Sequence, residues 1–305
     1  MKFLMFSDFH YYPGVFYGDT VDTIKTFQQR AQEEGCEFIL HAGDLCHGPS
    51  TVPELMEVCN NSPVPMYHCL GNHDTDQTSY EETLKLYNMP NGYYYFDCKG
   101  YRFIVLDPNY CKVDGEYIHY DLGNYFQWPD FRDYTPPEQL AWLEKTIAQS
   151  ENPCILVSHD SYERAGFTAA KESKEVQQIV RQANAKRRNH VLMVMNGHHH
   201  RDYLRILDNV LYWDVNAAHY DWIGEKQHDA YPEEMRKRWK WLGKTVNYAD
   251  PLYAIVTLEG NTITIEGAES TMLMGVSRKT IGKREYDEGG RILDPRIQSC
   301  KITLG

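Results

Sequence analysis

The 305-residue chain carries 31 Lys and Arg against 43 Asp and Glu, a formal charge of −12, with 42% hydrophobic and 24% charged residues. Such a length and composition describe an ordinary soluble globular protein with a sizeable core, and the acidic balance argues against a general nucleic-acid-binding surface. No apolar run reaches the roughly 18 residues of a membrane span, so no membrane partner is expected.

The chain opens on "KFLMFSDFH", a buried-strand pattern without signal-peptide character. "DTVDTIKTFQQRAQEEG" follows as a helix, with Val21, Ile24, Phe27 and Ala31 on one stripe, Asp19 or Thr20 as N-cap and Gly35 past its end. "CEFILHAGDLCHG" and "VPMYHCLGNHD" are the next apolar runs. Residues 108–134 break the pattern with many Tyr, Phe and Trp. "TPPEQLAWLEKTIAQ" then reads as a helix whose Thr135 and Glu138 form a capping box, with Pro136 at the first helical position. "PCILVSHD" and "HVLMVMNGHHH" are further runs of a kind that suits strands buried on both faces. Beyond them, "DYLRILDNVLYWDV" and "LYAIVTLEGNTITIEG" alternate like antiparallel hairpins, so the sheet is expected to be mixed. Strand and helix alternate, which is an α/β pattern. No repeat or linker divides the chain, so residues 1–305 read as one domain, with insertions at 108–134 and 219–250 and a C-terminal extension at 267–305. The eight cysteines form no C-x-x-C pair, and several sit in apolar runs as small hydrophobes, so a reducing cytoplasm is the expected compartment.

Each of five apolar runs ends in residues able to hold a metal: Asp8 and His10, Asp44, Asn72 and His73, His159, then His198 and His200. Ligands of open α/β sheets bind beyond the carboxyl ends of their strands. In an extended segment Asp8 and His10 share a side and clamp one ion, whereas His198 and His200, in a turn after Gly197, can diverge toward neighbouring ions. A single histidine after a strand is usually a hydrogen-bonded structural residue. Five strand ends converging on oxygen and nitrogen donors favour a metal site.

The ordered series Asp8-x-His10, Gly43-Asp44, Gly71-Asn72-His73-Asp74, His159 and Gly197-His198-x-His200 resembles that of the calcineurin-like metallophosphoesterases, from residue 8 to about residue 200. The resemblance implies an α/β fold in four layers, α/β/β/α, with two mixed sheets flanked by helices. It also implies two divalent ions, one on Asp8, His10, Asp44 and His200, the other on Asp44, Asn72, His159 and His198, with Asp44 bridging. His73 would face the substrate and Asp74 would orient its ring. His10 in the D-x-H position, with no tyrosine after Gly43-Asp44, sets the chain in the non-purple branch. His41, His47 and His199 stay outside the motif and read as supporting or structural residues.

Mixed imidazole and carboxylate ligation suits manganese, iron or zinc better than calcium or magnesium. The expected reaction is hydrolysis of a small phosphodiester or phosphomonoester by direct attack of a metal-bridging hydroxide, with His73 as general acid or as a positive partner of the phosphoryl group. Tyr110, Tyr117, Tyr125 and Trp128 could cap the site or simply pack a long loop. Arg164 and Arg201 could contact phosphate or be ordinary surface charges. The rival readings are a nuclease of the same family, disfavoured for long nucleic acid by the charge, a non-catalytic protein-binding scaffold, and a hydrolase of non-phosphate esters.

Overall fold

The computed structural model describes residues 1–163, 169–286 and 292–305. The strands in chain order begin with β1 (Lys2–Phe6), β2 (Phe38–His41), β3 (Met66–His68), β4 (Tyr94–Cys98), β5 (Tyr101–Val105), β6 (Tyr110–Val113), β7 (Glu116–His119) and β8 (Cys154–Val157). They continue with β9 (Val191–Asn196), β10 (Tyr203–Leu207), β11 (Val210–Asp214), β12 (Tyr220–Trp222), β13 (Thr245–Asn247), β14 (Ala254–Glu259), β15 (Thr262–Gly267) and β16 (Cys300–Thr303). Two six-stranded mixed sheets result, ordered β16-β15-β14-β1-β2-β3 and β10-β11-β9-β8-β5-β4. The expected hairpins are present as β10–β11 and β14–β15, and the end of the chain returns as the edge strand β16.

Period-two alternation builds the layers. Along β5, Phe103 and Val105 face the core between the sheets, while Ile104 and Leu106 point to the opposite side. β8 repeats this with Ile155 and Val157 inward and Cys154 and Leu156 outward. Phe103 meets Phe3 and Phe38 of the other sheet edge-on at 5.4 and 5.0 Å, and each such fully buried ring contributes about 1.5–3 kcal/mol. The outer face of the second sheet is covered by α4 (Pro137–Ala148) and α5 (Ser173–Lys186) through Leu143, Ile147, Val176 and Val180. The first sheet is flanked by α1 (Asp22–Glu33), whose Ile24, Phe27 and Ala31 are buried as the stripe requires. Three shorter helices are α2 (Pro53–Asn60), α3 (Tyr80–Leu86) and α6 (Glu233–Arg238).

Two helix starts differ from expectation. α4 begins at Pro137, not Pro136, and has no capping box. A residue before proline is held out of the helical region, so Pro136 stays extended at ψ 147°. The Thr135 hydroxyl pairs with Tyr162 Oη at 2.7 Å instead. At α1 the cap position is Val21, while the Thr20 hydroxyl accepts the Asp22 N–H at 3.2 Å as a capping side chain does, and Asp19 bonds Gly14 N and Trp239 Nε1 instead. The stretches 108–134 and 219–250 carry their own two-stranded ladders, β6–β7 and β12–β13. All eight cysteines are free.

The parallel strands set the stage for the site. Phe6, His41 and His68 stand in register at the ends of β1, β2 and β3, and Val105, Val157 and Met195 do the same on β5, β8 and β9. The chain leaves both sheets on this side toward one shared crevice.

Candidate metal centre

Five of the motif residues take left-handed backbone conformations: Asp8 at φ +50°, His10 at +49°, Asp44 at +58°, His198 at +67° and His200 at +51°. For residues with a Cβ this costs about 1 kcal/mol or more each. Strand alternation therefore does not bring Asp8 and His10 together; β1 ends at Phe6, and tight turns aim both side chains. Neighbouring hydrogen bonds hold these turns. Asp8 N and His10 N donate to the carbonyls of Gly43 and Asp44 at 3.0 and 2.9 Å, and His198 N donates to Asp8 Oδ2 at 3.0 Å. His73 N donates to Asp44 Oδ1 at 2.8 Å, and Ser7 Oγ to Asp8 Oδ2 at 2.6 Å. Glycine permits the close approach. A Cβ on Gly197 would overlap Ser7 Oγ, and one on Gly71 would overlap Asp44.

The side chains converge in two overlapping groups, Asp8 with His10 and His200, and Asp8 with Asp44 and His159. Asp44 Oδ2 lies 3.6 Å from His10 Nε2 and 3.1 Å from His159 Nε2, so one carboxylate reaches both groups. Asn72 Oδ1 stands 3.1 Å from His198 Nδ1, which is 3.3 Å from His159 Nε2.

The second nitrogen of each ring defines its tautomer. His200 Nδ1 donates to the Tyr220 carbonyl at 3.0 Å and His159 Nδ1 to that of Ala42 at 2.8 Å. His198 Nε2 lies 3.4 Å from the Asp160 carboxyl without a hydrogen bond, and burial together with Asp133 raises that carboxyl well above the usual range. His10 Nδ1 meets His47 Nε2 at 3.1 Å, and His47 Nδ1 bonds Asp76 Oδ2 at 3.0 Å, which directs the protons from His10 to His47 to Asp76. The inward-facing nitrogens then approach each other closely, His10 Nε2 to His200 Nε2 at 3.2 Å and His198 Nδ1 to His159 Nε2 at 3.3 Å. Two imidazole nitrogens at this range hold either a proton or a metal ion between them. Ligands bonded to one ion at about 2.1 Å stand about 3.0–3.4 Å apart, so this donor set fits a pair of metal ions.

Burial opposes charge on both carboxyls, yet His200 and His10 beside Asp8, and His159 and His73 beside Asp44, hold them well below the usual carboxylate range. Burial pushes His10 down to about 3 and, with the charge of His159, His198 down to about 4, so both rings are neutral as ligands must be. Burial disfavours a charge on His159, yet Asp44 and Asp8 raise its proton affinity well above the usual imidazole value, so a proton shared with Asp44 occupies the place an ion would take.

His73 lies at the rim, its side chain 29% exposed. Asp74 does not orient it. The Asp74 carboxylate accepts the backbone N–H groups of Gly71, Asp44, Leu45 and Cys46 and the Tyr87 hydroxyl, bracing the two ligand loops against each other. The chain direction after His73 turns Asp74 inward, and Asp76 takes the expected place, 2.8 Å from His73 Nδ1. The only sequence signal for Asp76 was a second carboxylate shortly after the motif in "GNHDTD".

Of the aromatic candidates, only Tyr125 reaches the motif residues, through its hydroxyl. Its ring is buried with Tyr120 and Cys111, and Trp128 packs against them, while Tyr110 rests on His119 and Tyr117 on Tyr134. The rings beside the donors are others: Tyr12 stacked on His47, and Phe16 between His10, Tyr220 and Trp241. Arg201 borders a cavity of about 300 Å³ with His200 and Asn216. Arg164 lies outside the described residues.

A family description of calcineurin-like phosphoesterases matches residues 1–202. A dimetal phosphatase from Danio rerio superposes with a TM-score of 0.61 at 14% identity, over 89% of this chain and 98% of that one. GAP50, described as the anchor in the inner membrane complex of Plasmodium, superposes at 0.54 with 13% identity, over 100% of this chain and 89% of that one. At such identities the likeness is one of fold. No curated protein matches the chain.

Proposed function

The chain belongs to the calcineurin-like phosphoesterase family, and from that premise we propose that it hydrolyses a small phosphodiester or phosphomonoester at two divalent ions of manganese, iron or zinc. The observation that carries the reading is the convergence of four imidazole nitrogens, paired at 3.2 and 3.3 Å, around two buried carboxylates. Asp8, His10, Asp44 and His200 would hold one ion; Asp44, Asn72, His159 and His198 the other. When bound, such a pair supplies an acidified water and positive charge for the phosphoryl oxygens.

The chain's own residues do the rest. The carbonyls of Ala42 and Tyr220 fix which nitrogens of His159 and His200 face inward. His73, outside the donor set, would give a proton to the leaving oxygen. Burial disfavours its charged form, but Asp44 and Asp76 outweigh burial and raise its proton affinity above the usual value. The reaction is a direct displacement in which water's oxygen bonds phosphorus and the ester oxygen leaves with the His73 proton.

Small phosphorylated substrates, a cytoplasmic setting and no membrane partner complete the proposal. In the described residues no helix is long and apolar enough to cross a membrane, and the free thiols are compatible with a reducing compartment. The test is metal analysis of the purified protein together with hydrolysis of chromogenic phosphate mono- and diesters, with manganese, iron and zinc supplied in turn. About two equivalents of metal with turnover support the reading, and the mono- to diester ratio sorts phosphatase from phosphodiesterase. Protein that takes up no metal under any supply would refute it, and a partner captured by that protein would support a scaffold instead.

A further inference from the structure

The segment 108–134 reads by sequence as an aromatic insertion, and the fold brings one of its side chains, Tyr125, to His73. Tyr125 is 1% exposed, stacked on Tyr120 at 4.4 Å, and Tyr120 is itself pinned by a 2.8 Å bond to Asp133 Oδ1. Tyr125 Oη donates to Asp76 Oδ1 at 2.8 Å and lies 3.2 Å from His73 Nδ1. The backbone of the same segment is seated on this loop, since Gly123 N donates to the Thr75 carbonyl at 3.0 Å.

We propose that Asp76 and Tyr125 are positioning residues for His73, and that the aromatic insertion exists in this protein to aim the Tyr125 hydroxyl. The inference rests on the phosphoesterase reading of the site. Asp76 receives three donors from three directions: Tyr125 Oη on Oδ1, with His47 Nδ1 and His73 Nδ1 on Oδ2. A carboxylate so held cannot rotate without breaking a bond, and it commits the Nδ1 of His73 to a proton. Nε2 then remains, with no hydrogen-bond partner among the described residues, as the nitrogen free to serve the leaving oxygen. As the ester P–O bond breaks, its electron pair goes to the leaving oxygen, which takes the Nε2 proton. The ring returns to the neutral form with Nδ1–H still on Asp76. Burial and the Asp76 charge hold the Tyr125 hydroxyl far above its usual pKa, so it stays a donor, and the bonds from His47 and His73 overcome burial to bring Asp76 down to about 2, so it stays an acceptor.

A positioned proton donor matters for a poor leaving group and little for a good one. The experiment therefore compares kcat for an alkyl phosphate ester and its p-nitrophenyl counterpart in the wild type, Asp76→Asn, Tyr125→Phe and His73→Ala, each shown to hold about two metal equivalents. The alkyl-to-aryl ratio should fall about 100-fold in Asp76→Asn and about ten-fold in Tyr125→Phe, with KM close to wild type. In the His73→Ala background, Tyr125→Phe should move the ratio no further. In parallel, the ¹⁵N signals of His73 in the zinc-loaded protein should show a protonated Nδ1 in the wild type and lose that signature in Asp76→Asn. Equal losses on both esters, or an unchanged His73 signal in Asp76→Asn, would overturn the assignment. Wild-type protein that binds metal yet hydrolyses neither ester would remove the phosphoesterase reading instead, and the His73 signal would then decide the positioning by itself.

Discussion

His68 at the end of β3 is 2% exposed, stacked on Tyr87 at 4.8 Å and edge-on to the equally buried His41 at 5.6 Å, with no hydrogen-bond partner for Nδ1 among the described residues. Burial pushes its pKa from 6.5 down to about 4. The unfolded chain thus takes up a proton that the folded chain refuses. The stability linked to His68 is complete above pH 6.5 and is lost as pH falls from 6.5 through 4. Each pKa unit carries about 1.4 kcal/mol, so lowering the pH from neutrality to 5 withdraws about 2 kcal/mol through this one ring. Replacing it by an apolar side chain of similar size removes that dependence. The assay is urea unfolding of wild type and His68→Leu, both with chelator so that metal occupancy does not contribute, at neutral pH and near pH 5. Wild type should lose about 2 kcal/mol more than the variant between the two conditions. An equal loss in both proteins would show that His68 is not held neutral by burial, and the reasoning would fail.

Asp44→Ala should lose metal and turnover together, since that carboxylate reaches both donor groups, whereas His73→Ala should lose turnover and keep about two equivalents; elemental analysis of the two variants separates the roles. Gly197→Ala should fold but bind metal poorly, because the added methyl would overlap Ser7 Oγ and crowd Asp8 Oδ2 at 2.6 Å; titration with manganese against wild type reads this out. Asp74→Ala should act on stability first. It leaves four buried backbone N–H groups and the Tyr87 hydroxyl without their acceptor, at about 1–3 kcal/mol for each group left unpaired, so thermal unfolding should show a large drop in Tm or no folded protein. A small drop would reopen a catalytic role for Asp74.

The sequence by itself determined the layers and the neighbourhood of the site. Buried strands announce themselves as apolar runs because both faces must leave water, and each run here ends at its polar donors, so Asp8, Asp44, Asn72, His159 and His198 could be named from local pattern alone. Turn geometry at those ends was not legible. Asp and His tolerate left-handed backbone better than most residues, but that preference is too weak to place it, and at His10 the turn is held by the bond from its N–H to the Asp44 carbonyl of a distant loop. For the same reason a capping box at Thr135 and a catalytic partner at Asp74 looked right by spacing yet were redirected, Thr135 to Tyr162 and Asp74 to the amides of two loops. Only the tertiary structure decided that Asp76 lies beside His73 and that Tyr125, 49 residues further along the chain, hydrogen-bonds it. Hydrogen bonds between distant segments depend on the direction in which each loop leaves its strand, and that direction is set by how the two sheets pack, not by the residues that make the bond.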